Sequence, residues 1–453
     1  MEREFDVVVV GAGPAGEVAA GRLADAGLEV ALVEPHLVGG ECSYYACMPS
    51  KALLRPAELA AEVARVPGLA ITTLDPAAVL RRRDEVIHDL DDASQLPWLE
   101  ARGVTLFRGF GRLDGERRVR VGDDLLTVRK AVVVATGSGA AMPPIPGLAE
   151  SRPWTNREAT TASLVPASLA ILGGGVVGVE LAQAWASLGS SVTVVEGMPR
   201  LIAREEEFAS QQVEEALRAG GVDVRTGAKA VSVARDGEAG EVTVALEDGT
   251  EASGAELLVA VGRRPLTQDI GLETIGLEPG ASIEVGGDLR CGAYEWLYAI
   301  GDVNGRSLLT HMGKYQARLA ADAILGKQVE LRSDGALSPR VIFTEPQVAA
   351  VGYTLAGAKE AGLDVRAVDV GTNENAGGSF VGRNAPGTSR LVVDEKRRVI
   401  VGATFTGPTV ADSLHAATIA VVAEVPLETL WHCVPAFPTR SELWLRLLET
   451  YGL

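Results

Sequence analysis

The sequence predicts an α/β fold with two similar βαβ units and a C-terminal α+β domain. Residues 6–34 and residues 169–196 each read as a strand, a glycine-rich turn, a helix and a second strand. From about residue 336 onward, strand-like runs alternate with apolar helical stretches, and no third glycine-rich turn occurs. The two repeated units predict parallel sheets, and the last segment predicts a separate mixed domain.

The two glycine-rich turns have the same spacing. They contain Gly11, Gly13 and Gly16 in the first copy and Gly173, Gly175 and Gly178 in the second. In such a turn the first glycine permits the tight bend, the second lets pyrophosphate approach the backbone, and the third lets helix and strand pack closely. One copy is a weak signal, because glycine turns between strands and helices are common.

An acidic residue follows the second strand of each copy. Glu34 and Glu196 both lie 23 residues after the first glycine (34 − 11 and 196 − 173). A carboxylate at this point accepts hydrogen bonds from an adenosine ribose with a free 2′-hydroxyl. Two glycine turns with the acid in register therefore predict two bound dinucleotides, as in Rossmann-type folds.

The remaining segments complete these units. Residues 130–137 read as a buried strand that ends in a Thr-Gly turn, and residues 257–265 close the second unit similarly. The proline-rich residues 143–147 are the expected linker. Strands are predicted at 340–343, 390–393 and 399–405, and helices at 410–424 and 440–450.

Composition excludes several classes of partner. The 453 residues carry 42 basic and 60 acidic side chains, a net charge of −18, which argues against nucleic acid and anionic membranes. No secretory leader is expected, and no apolar run reaches about 18–20 residues. With only four cysteines, the chain is expected to be cytoplasmic, and a disulfide in it is expected to be catalytic rather than structural.

Cys42 and Cys47 form the one close cysteine pair. Pro49 is expected near the start of a helix, so Cys47 would lie at a helix N-terminus, where the helix dipole favours a thiolate. Cys42 would lie on the preceding segment and could close a small reducible ring. The alternatives are a packing pair or half of a zinc site, but zinc needs four ligands, and Cys291 and Cys433 are isolated in the sequence. No metal site is predicted.

Residues 39–54 resemble the active-site motif of the class I flavoprotein disulfide reductases, also called pyridine nucleotide-disulfide oxidoreductases. Dihydrolipoamide dehydrogenase, glutathione reductase, mycothione reductase and mercuric reductase belong to this family. The resemblance covers essentially the whole chain, including both glycine turns, Cys-x4-Cys-x-Pro-Ser-Lys, the Ala-Thr-Gly turn at 135–137, Gly-Arg-x-Pro at 262–265 and Ala-Ile-Gly-Asp at 299–302. It implies FAD in the first unit, NADH or NADPH in the second, and electron transfer through flavin to the cysteine pair.

The resemblance also implies domains and site residues. It divides the chain into an FAD-binding domain at 1–146 and 266–335, an NAD(P)-binding domain at 147–265 and a dimerisation domain at 336–453. Lys51 and Glu180 would meet near flavin N5; the alternative is a surface ion pair. The residues implied to bind FAD are Gly11, Gly13, Gly16, Glu34, Gly40, Lys51, Gly111, Thr136, Gly137, Gly301, Asp302 and His311. Those implied to bind NAD(P) are Gly173, Gly175, Gly178, Glu196, Gly262 and Arg263.

Nicotinamide preference is predicted from Glu196. It occupies the position where NADPH users of the family usually carry a cation, which favours NADH. Arg200 lies close enough in sequence to leave use of both nucleotides open.

The sequence departs from the family at a key position. Family members that reduce lipoamide or glutathione carry a His-Pro-Thr segment followed by Ser-Glu, in which a His-Glu dyad protonates the leaving thiolate. Here Phe437 stands in place of the histidine, and Glu442 is the remaining acid. A positioned general acid contributes about 10²–10⁴-fold to rate. Tyr44 is a candidate substitute acid, although packing is the alternative role, and His432 could in principle reach back.

Three functions remain open. The first is an NAD(P)H-dependent reductase of a small disulfide, which the intact cysteine pair favours. The second is a reductase of quinones or metal ions, which Phe437 favours, although the chain lacks the C-terminal cysteine pair expected of mercuric reductases. The third is a flavoprotein component of a 2-oxoacid dehydrogenase complex, which no docking motif supports. A homodimer is expected from the resemblance.

Overall fold

The computed structural model describes residues 1–70 and 73–453, which form two compact units. Unit 1 comprises residues 1–49, 84–141 and 263–335, and unit 2 comprises residues 50–83, 142–262 and 336–453. The division into an FAD-binding, an NAD(P)-binding and a dimerisation domain stays a prediction. Residues 50–83 group with unit 2 because Leu53, Leu54 and Leu80 join the core around Trp185 and Ile342.

The secondary structure alternates strands and helices along most of the chain. The strands are Glu2–Val10 (β1), Val30–Glu34 (β2), Thr105–Arg108 (β3), Gly111–Leu113 (β4), Arg118–Val121 (β5), Asp124–Val134 (β6), Ser138–Ala140 (β7), Ser168–Leu172 (β8), Ser191–Glu196 (β9), Asp223–Thr226 (β10), Ala230–Arg235 (β11), Val242–Leu246 (β12), Glu251–Gly254 (β13), Glu256–Val259 (β14), Arg263–Pro265 (β15), Leu297–Ala299 (β16), Arg340–Ile342 (β17), Gln347–Gly352 (β18), Val365–Gly371 (β19), Thr388–Asp394 (β20) and Val399–Gly407 (β21). The α-helices are Pro14–Asp25 (α1), Gly40–Tyr44 (α2), Cys47–Arg65 (α3), Pro76–Val86 (α4), Leu96–Glu100 (α5), Asn156–Thr161 (α6), Val176–Ser187 (α7), Glu207–Ala219 (α8), Thr310–Ile324 (α9), Leu355–Glu360 (α10), Leu414–Val422 (α11), Leu427–Trp431 (α12) and Glu442–Tyr451 (α13).

Unit 1 is built on a sheet of order β3-β2-β1-β6-β5-β4, with β16 also paired to β6. Strands β3, β2, β1, β6 and β16 are parallel, whereas β5 and β4 pair antiparallel. All five residues of β2 are buried, as expected for a parallel strand covered on both faces. Helices α1 and α9 pack on this sheet, and a 3-10 turn at Gly301–Asn304 follows β16.

Unit 2 contains a parallel sheet of order β10-β9-β8-β14, an antiparallel sheet of β11, β12 and β13, and an antiparallel sheet of order β17-β18-β21-β20-β19. In the last of these sheets every residue of β18 and β21 is buried. Helices α11 and α13 contribute Leu414, Ala417, Leu443 and Leu447 to its core. The helix predicted at 410–424 begins as a 3-10 turn at Val410–Ser413 and becomes α-helical only from Leu414.

No helix within residues 1–70 and 73–453 is long and apolar enough to cross a membrane.

Candidate active site

The two predicted glycine turns have the same geometry. Gly11 and Gly173 have φ values of +105° and +108°, in the region that favours glycine. A Cβ at Gly11 would collide with the carbonyl oxygen of Ala135, and one at Gly173 would collide with that of Ala260. A side chain at Gly16 or Gly178 would likewise strike the carbonyl of the first glycine of its own turn. Both turns therefore require glycine at these positions.

The middle glycines leave the helix N-termini open. Gly13 and Gly175 are the N-cap residues of α1 and α7, with (φ, ψ) of (−71°, 178°) and (−77°, −173°). Within the described chain, no atom lies within 4 Å of a Cβ built on either glycine, apart from its own chain neighbours, and no side chain caps either helix. Such an uncapped N-terminus binds phosphate through its N–H groups and dipole. The geometry thus fits a dinucleotide pyrophosphate in each unit.

The acids after β2 and β9 are held in the same way. The Glu34 carboxylate accepts hydrogen bonds from the backbone N–H groups of Ala12 (2.8 Å) and His36 (2.9 Å). The Glu196 carboxylate accepts from Gly174 (2.6 Å) and Met198 (2.7 Å). Each carboxylate oxygen keeps a further lone pair, so both groups can still accept from a ribose hydroxyl.

Asp302 lies in a polar cluster of unit 1. Its Oδ2 accepts a hydrogen bond from the Ser138 hydroxyl at 2.5 Å, and burial raises the pKa of its carboxyl group. The Arg263 guanidinium donates from Nε to Ser138 Oγ (2.7 Å), and this nitrogen lies 3.7 Å from Asp302 Oδ2. The Arg263 side chain therefore supports the carboxylate that the resemblance associates with FAD, and its assignment to NAD(P) stays a prediction.

Six other residues assigned to FAD lie in unit 1. Gly40 packs so closely on Gly13 that a Cβ would lie 2.7 Å from the Gly13 Cα. Thr136 donates from Oγ1 to the Leu266 carbonyl (2.9 Å), and Gly301 donates its N–H to Gln316 Oε1 (2.8 Å). The remaining positions are Gly111 at the start of β4, Gly137 before β7 and the exposed His311 in the first turn of α9. In unit 2, Gly262 has a φ of +146° just after β14.

The cysteine pair lies where α2 gives way to α3. Both cysteines are half-buried thiols, with Cys42 in α2 and Cys47 as the first residue of α3. The Cys47 sulfur is 3.3 Å from Thr310 Oγ1, the first side chain of α9. The hydrogen bond between the two thiols and the burial of Cys42 raise the pKa of the Cys42 thiol, whereas Thr310 and Lys314 lower it. The two thiols are therefore within hydrogen-bonding distance of each other and lie near the Thr310 hydroxyl and the Lys314 ammonium group.

In unit 2 the structure brings Lys51 and Glu180 together. Lys51 Nζ donates to Glu180 Oε2 at 2.7 Å, and the Glu180 side chain is only 4% exposed. The other Glu180 oxygen accepts from the N–H of Phe343 (2.9 Å), and the Lys51 ammonium lies 4.6 Å from the centre of the Phe343 ring. A buried carboxylate thus fixes the position of a partly exposed ammonium.

The residues considered in connection with the missing histidine are Tyr44 in unit 1 and Phe437 and Glu442 in unit 2. The Tyr44 side chain is buried, and its hydroxyl donates to the carbonyl of Val38 at 3.1 Å. Burial is the main cause that raises its pKa to about 12. These contacts favour the packing role of Tyr44, and its role as a substitute acid stays a prediction. Phe437 is 76% exposed, and Glu442 accepts a hydrogen bond from Gly377 N–H.

Three site residues escaped the sequence analysis: Ser138, Thr310 and Lys314. Ser138 bridges Asp302 and Arg263 across 164 and 125 positions of the chain, and Thr310 meets Cys47 across 263 positions. No local spacing relates residues so far apart. The one available signal was the polar start of the 310–324 segment, which is separated from the Gly-Asp motif by seven residues (303–309).

The described residues contain no group of three or more His, Cys, Asp or Glu side chains that could hold a metal ion.

Comparison with known proteins shows the family to which the sequence is similar. Residues 5–321 match the model of a family described as pyridine nucleotide-disulphide oxidoreductase, and residues 338–447 match the dimerisation domain of that family. A dihydrolipoyl dehydrogenase of Chlamydia muridarum is 31% identical, with 98% of this chain and 96% of that protein covered. A mercuric reductase of Staphylococcus aureus is 29% identical, with 97% and 81% covered.

Two solved structures are similar to this chain over nearly its whole length. The HOCl-induced flavoprotein disulfide reductase RclA from Escherichia coli, solved as a Cu(II) complex, aligns with a TM-score of 0.86 at 25% identity and covers 98% of this chain and 99% of its own. LpdA from Mycobacterium tuberculosis aligns with a TM-score of 0.87 at 25% identity, with 99% of each chain covered.

Proposed function

The chain belongs to the pyridine nucleotide-disulphide oxidoreductase family, whose members are FAD-dependent, NAD(P)H-using oxidoreductases, and we propose that it reduces a small disulfide through Cys42 and Cys47. NADH is the proposed donor. The observation that carries the proposal is the pair of half-buried thiols at the start of α3, in the unit that also holds Asp302 and the first glycine turn.

We assign each residue of the candidate site a role in cofactor binding or in electron transfer. Bound FAD supplies the two-electron chemistry that links the nicotinamide to the disulfide. In unit 1, Gly13 and the α1 N-terminus would hold its pyrophosphate, Glu34 the adenosine ribose and Asp302 the ribityl chain. Cys42 would attack the acceptor, because Cys47 lies against Thr310 at the start of its helix. In unit 2, Glu196 would hold the nicotinamide nucleotide, and Lys51 with Glu180 would present a cation to reduced flavin.

The proposal is tested with the cysteine variants Cys42→Ser and Cys47→Ser. We expect each to lower NADH-driven reduction of 2-hydroxyethyl disulfide by about 10³-fold or more, because no second nucleophile replaces either thiol. Reduction of the flavin by NADH should persist in both. Cys433→Ser is the control, since Cys433 is an exposed free cysteine that follows the end of α12. A Cys42→Ser enzyme that keeps most of its disulfide turnover would contradict the proposal.

A second candidate is reduction of quinones or metal ions. Phe437 favours it, because such acceptors need no acid to protonate a leaving thiolate. Two relatives point in the same direction, one a mercuric reductase by name and one solved with Cu(II). A quinone reductase of this kind should retain most activity in Cys42→Ser. Rapid turnover of lipoamide would instead support a component of a 2-oxoacid dehydrogenase complex and would contradict our interpretation of Phe437.

Two further properties are proposed with this function. The match of residues 338–447 to a dimerisation domain supports a homodimer, and a cytoplasmic location follows the sequence expectation. Sedimentation of the purified enzyme at micromolar concentration tests the first.

A further inference from the structure

Gln316 is a fully buried amide in α9 that contacts the turn after β16. Its Oε1 accepts hydrogen bonds from the Gly301 N–H and from Asn304 Nδ2, both at 2.8 Å. These two donors are the first and last residues of the 3-10 turn Gly301–Asn304. Because the Gln316 side chain is closed off from solvent, water cannot replace its oxygen as the acceptor. One side-chain oxygen therefore fixes both ends of the turn.

The turn also packs against the first turns of α1 and α9. Gly301 has a φ of +75°, and a Cβ built on it would lie 3.4 Å from Ala15 Cβ and 4.0 Å from Gly313 Cα. Ala15 follows the N-terminus of α1, which is the expected pyrophosphate site. Asn304 Nδ2 donates its other hydrogen to the Ala299 carbonyl of β16 at 3.1 Å. All of these residues belong to unit 1, so the turn is held between α1, α9 and β16.

The carboxylate of Asp302 depends on this turn for its position. Asp302 directly follows Gly301, whose N–H donates to Gln316. Its Oδ2 accepts a hydrogen bond from Ser138 Oγ at 2.5 Å, so β7 holds the side chain and α9 holds the adjoining backbone. A binding group has to be fixed within about 0.5 Å of its productive geometry, because hydrogen bonds between oxygens need about 2.5–3.0 Å. Loss of the backbone contact would therefore displace the carboxylate.

The nitrogen of the same amide has no comparable contact. Within residues 1–70 and 73–453, the buried Gln316 Nε2 has no hydrogen-bond partner. A buried donor without a partner destabilises a fold, and a leucine of similar size would avoid this cost. The amide is therefore suited to its function as an acceptor for the turn rather than to packing in the core.

We propose that Gln316 is a positioning residue for FAD, whose Oε1 holds the Gly301–Asn304 turn in place before FAD binds, so that Asp302 is already available to the ribityl chain. A site formed in advance binds its ligand more tightly, because no affinity is lost in ordering the turn. This inference rests on the role proposed above for Asp302 and is independent of the acceptor that the enzyme reduces.

The test measures the Kd of FAD by equilibrium dialysis of the full chain against graded FAD concentrations. Gln316→Leu removes the acceptor at similar volume and should raise the Kd about tenfold or more. Gln316→Glu keeps an oxygen for both donors, so its Kd should rise less. Asn304→Ala removes one of the two donors and should raise the Kd about threefold to tenfold. Added to Gln316→Leu it should cause little further rise, because both changes act through the same turn.

Gln212→Leu is the matched control. Gln212 is a half-buried amide of unit 2, which donates to Thr388 Oγ1 at 2.9 Å and accepts from Thr406 Oγ1 at 2.6 Å. Its variant should lower the urea midpoint at saturating FAD, as Gln316→Leu does, and keep the wild-type Kd. A merely structural role for Gln316 predicts the same change in Kd for both leucine variants.

Asp302→Ala separates this inference from the role proposed for Asp302. An Asp302→Ala protein with the wild-type Kd overturns that role and this inference with it. If Asp302→Ala weakens FAD binding, whereas Gln316→Leu and Asn304→Ala do not, only the inference is overturned. An equal rise of the Kd in Gln316→Leu and Gln212→Leu also overturns it. Should Gln316→Leu fail to fold, Asn304→Ala alone decides, because a Kd within twofold of the wild type would contradict the inference.

Discussion

The carboxylate of Glu442 accepts a hydrogen bond from the backbone N–H of Gly377, with 3.3 Å between nitrogen and oxygen. Glu442 begins α13, and Gly377 lies in the segment between β19 and β20. A Cβ at Gly377 would collide with the backbone of Thr439, so this segment lies directly against the chain that precedes α13. Glu442 thus anchors a loop, and this contact needs no histidine at position 437.

Glu442→Ala is expected to cost stability rather than catalysis. Loss of one partly buried acceptor should lower the free energy of unfolding by about 1 kcal/mol, measured by urea titration. Glu442→Gln keeps an acceptor oxygen and should lose less. Turnover of 2-hydroxyethyl disulfide should change little in either variant. A loss of about 100-fold or more in Glu442→Ala, without a change in stability, would instead show that Glu442 takes part in proton transfer.

Gly377→Ala tests the close approach itself. The added methyl group has no room beside Thr439, so we expect the free energy of unfolding to fall by about 2–3 kcal/mol. Gly287→Ala is the matched control, because nothing lies within 4 Å of a Cβ built at that exposed glycine. Equal stability of the two variants would contradict the close packing of the 372–387 segment.

The site could be predicted from sequence where neighbouring residues determine it. The strand, turn and helix around Gly11 and Gly173, and the acid that ends each second strand, depend on residues within about one βαβ unit. The environment of Cys47 depends on Thr310, which is 263 positions away, and only the packed structure relates the two. Arg263 shows the same limit, since its place in a motif did not reveal that its side chain meets Ser138.

Glu180→Gln is expected to lower both the free energy of unfolding and the rate at which NADH reduces the flavin. The glutamine amide oxygen can still accept a hydrogen bond from the Phe343 N–H, but the neutral amide cannot balance the charge of Lys51. The free energy of unfolding should therefore fall by about 1–3 kcal/mol. If Lys51 presents a cation to reduced flavin, NADH-driven flavin reduction should slow about tenfold in stopped-flow experiments.

Glu205→Gln is the control for that experiment. Glu205 is also buried and pairs with Arg340 at 2.7 Å. Its variant should lose similar stability and keep the flavin reduction rate of the wild type. If both variants slow flavin reduction equally, the effect is structural and Lys51 has no special role.

Glu196→Ala is expected to weaken the preference for NADH. Both Glu196 oxygens are positioned by the N–H groups of Gly174 and Met198, whereas the Arg200 guanidinium donates to the Ala203 carbonyl at 2.7 Å. Without the carboxylate, the ratio of kcat/KM for NADH to that for NADPH should fall about tenfold or more. Glu34→Ala removes the equivalent carboxylate of unit 1, so it should weaken FAD retention and leave the nicotinamide preference intact. An unchanged ratio in Glu196→Ala would refute the assignment.

Glu17 makes the stability of unit 1 depend on pH. Burial raises the pKa of its carboxyl to about 7 from an ordinary value of 4.5, although Lys314 acts in the opposite direction. Between these two values the folded chain binds more protons than the unfolded chain, so stability falls as pH rises from 4.5 to 7 and then levels off. At about 1.4 kcal/mol per pH unit, the loss approaches about 3 kcal/mol. Glu17→Gln should abolish this loss, so it should raise the urea midpoint at pH 8 and change it little at pH 4.5. Glu2→Gln alters an exposed glutamate of β1 and should reproduce the wild-type difference between the two pH values. A Glu17→Gln protein that is less stable than the wild type at pH 8 would show that the charged carboxylate stabilises the fold.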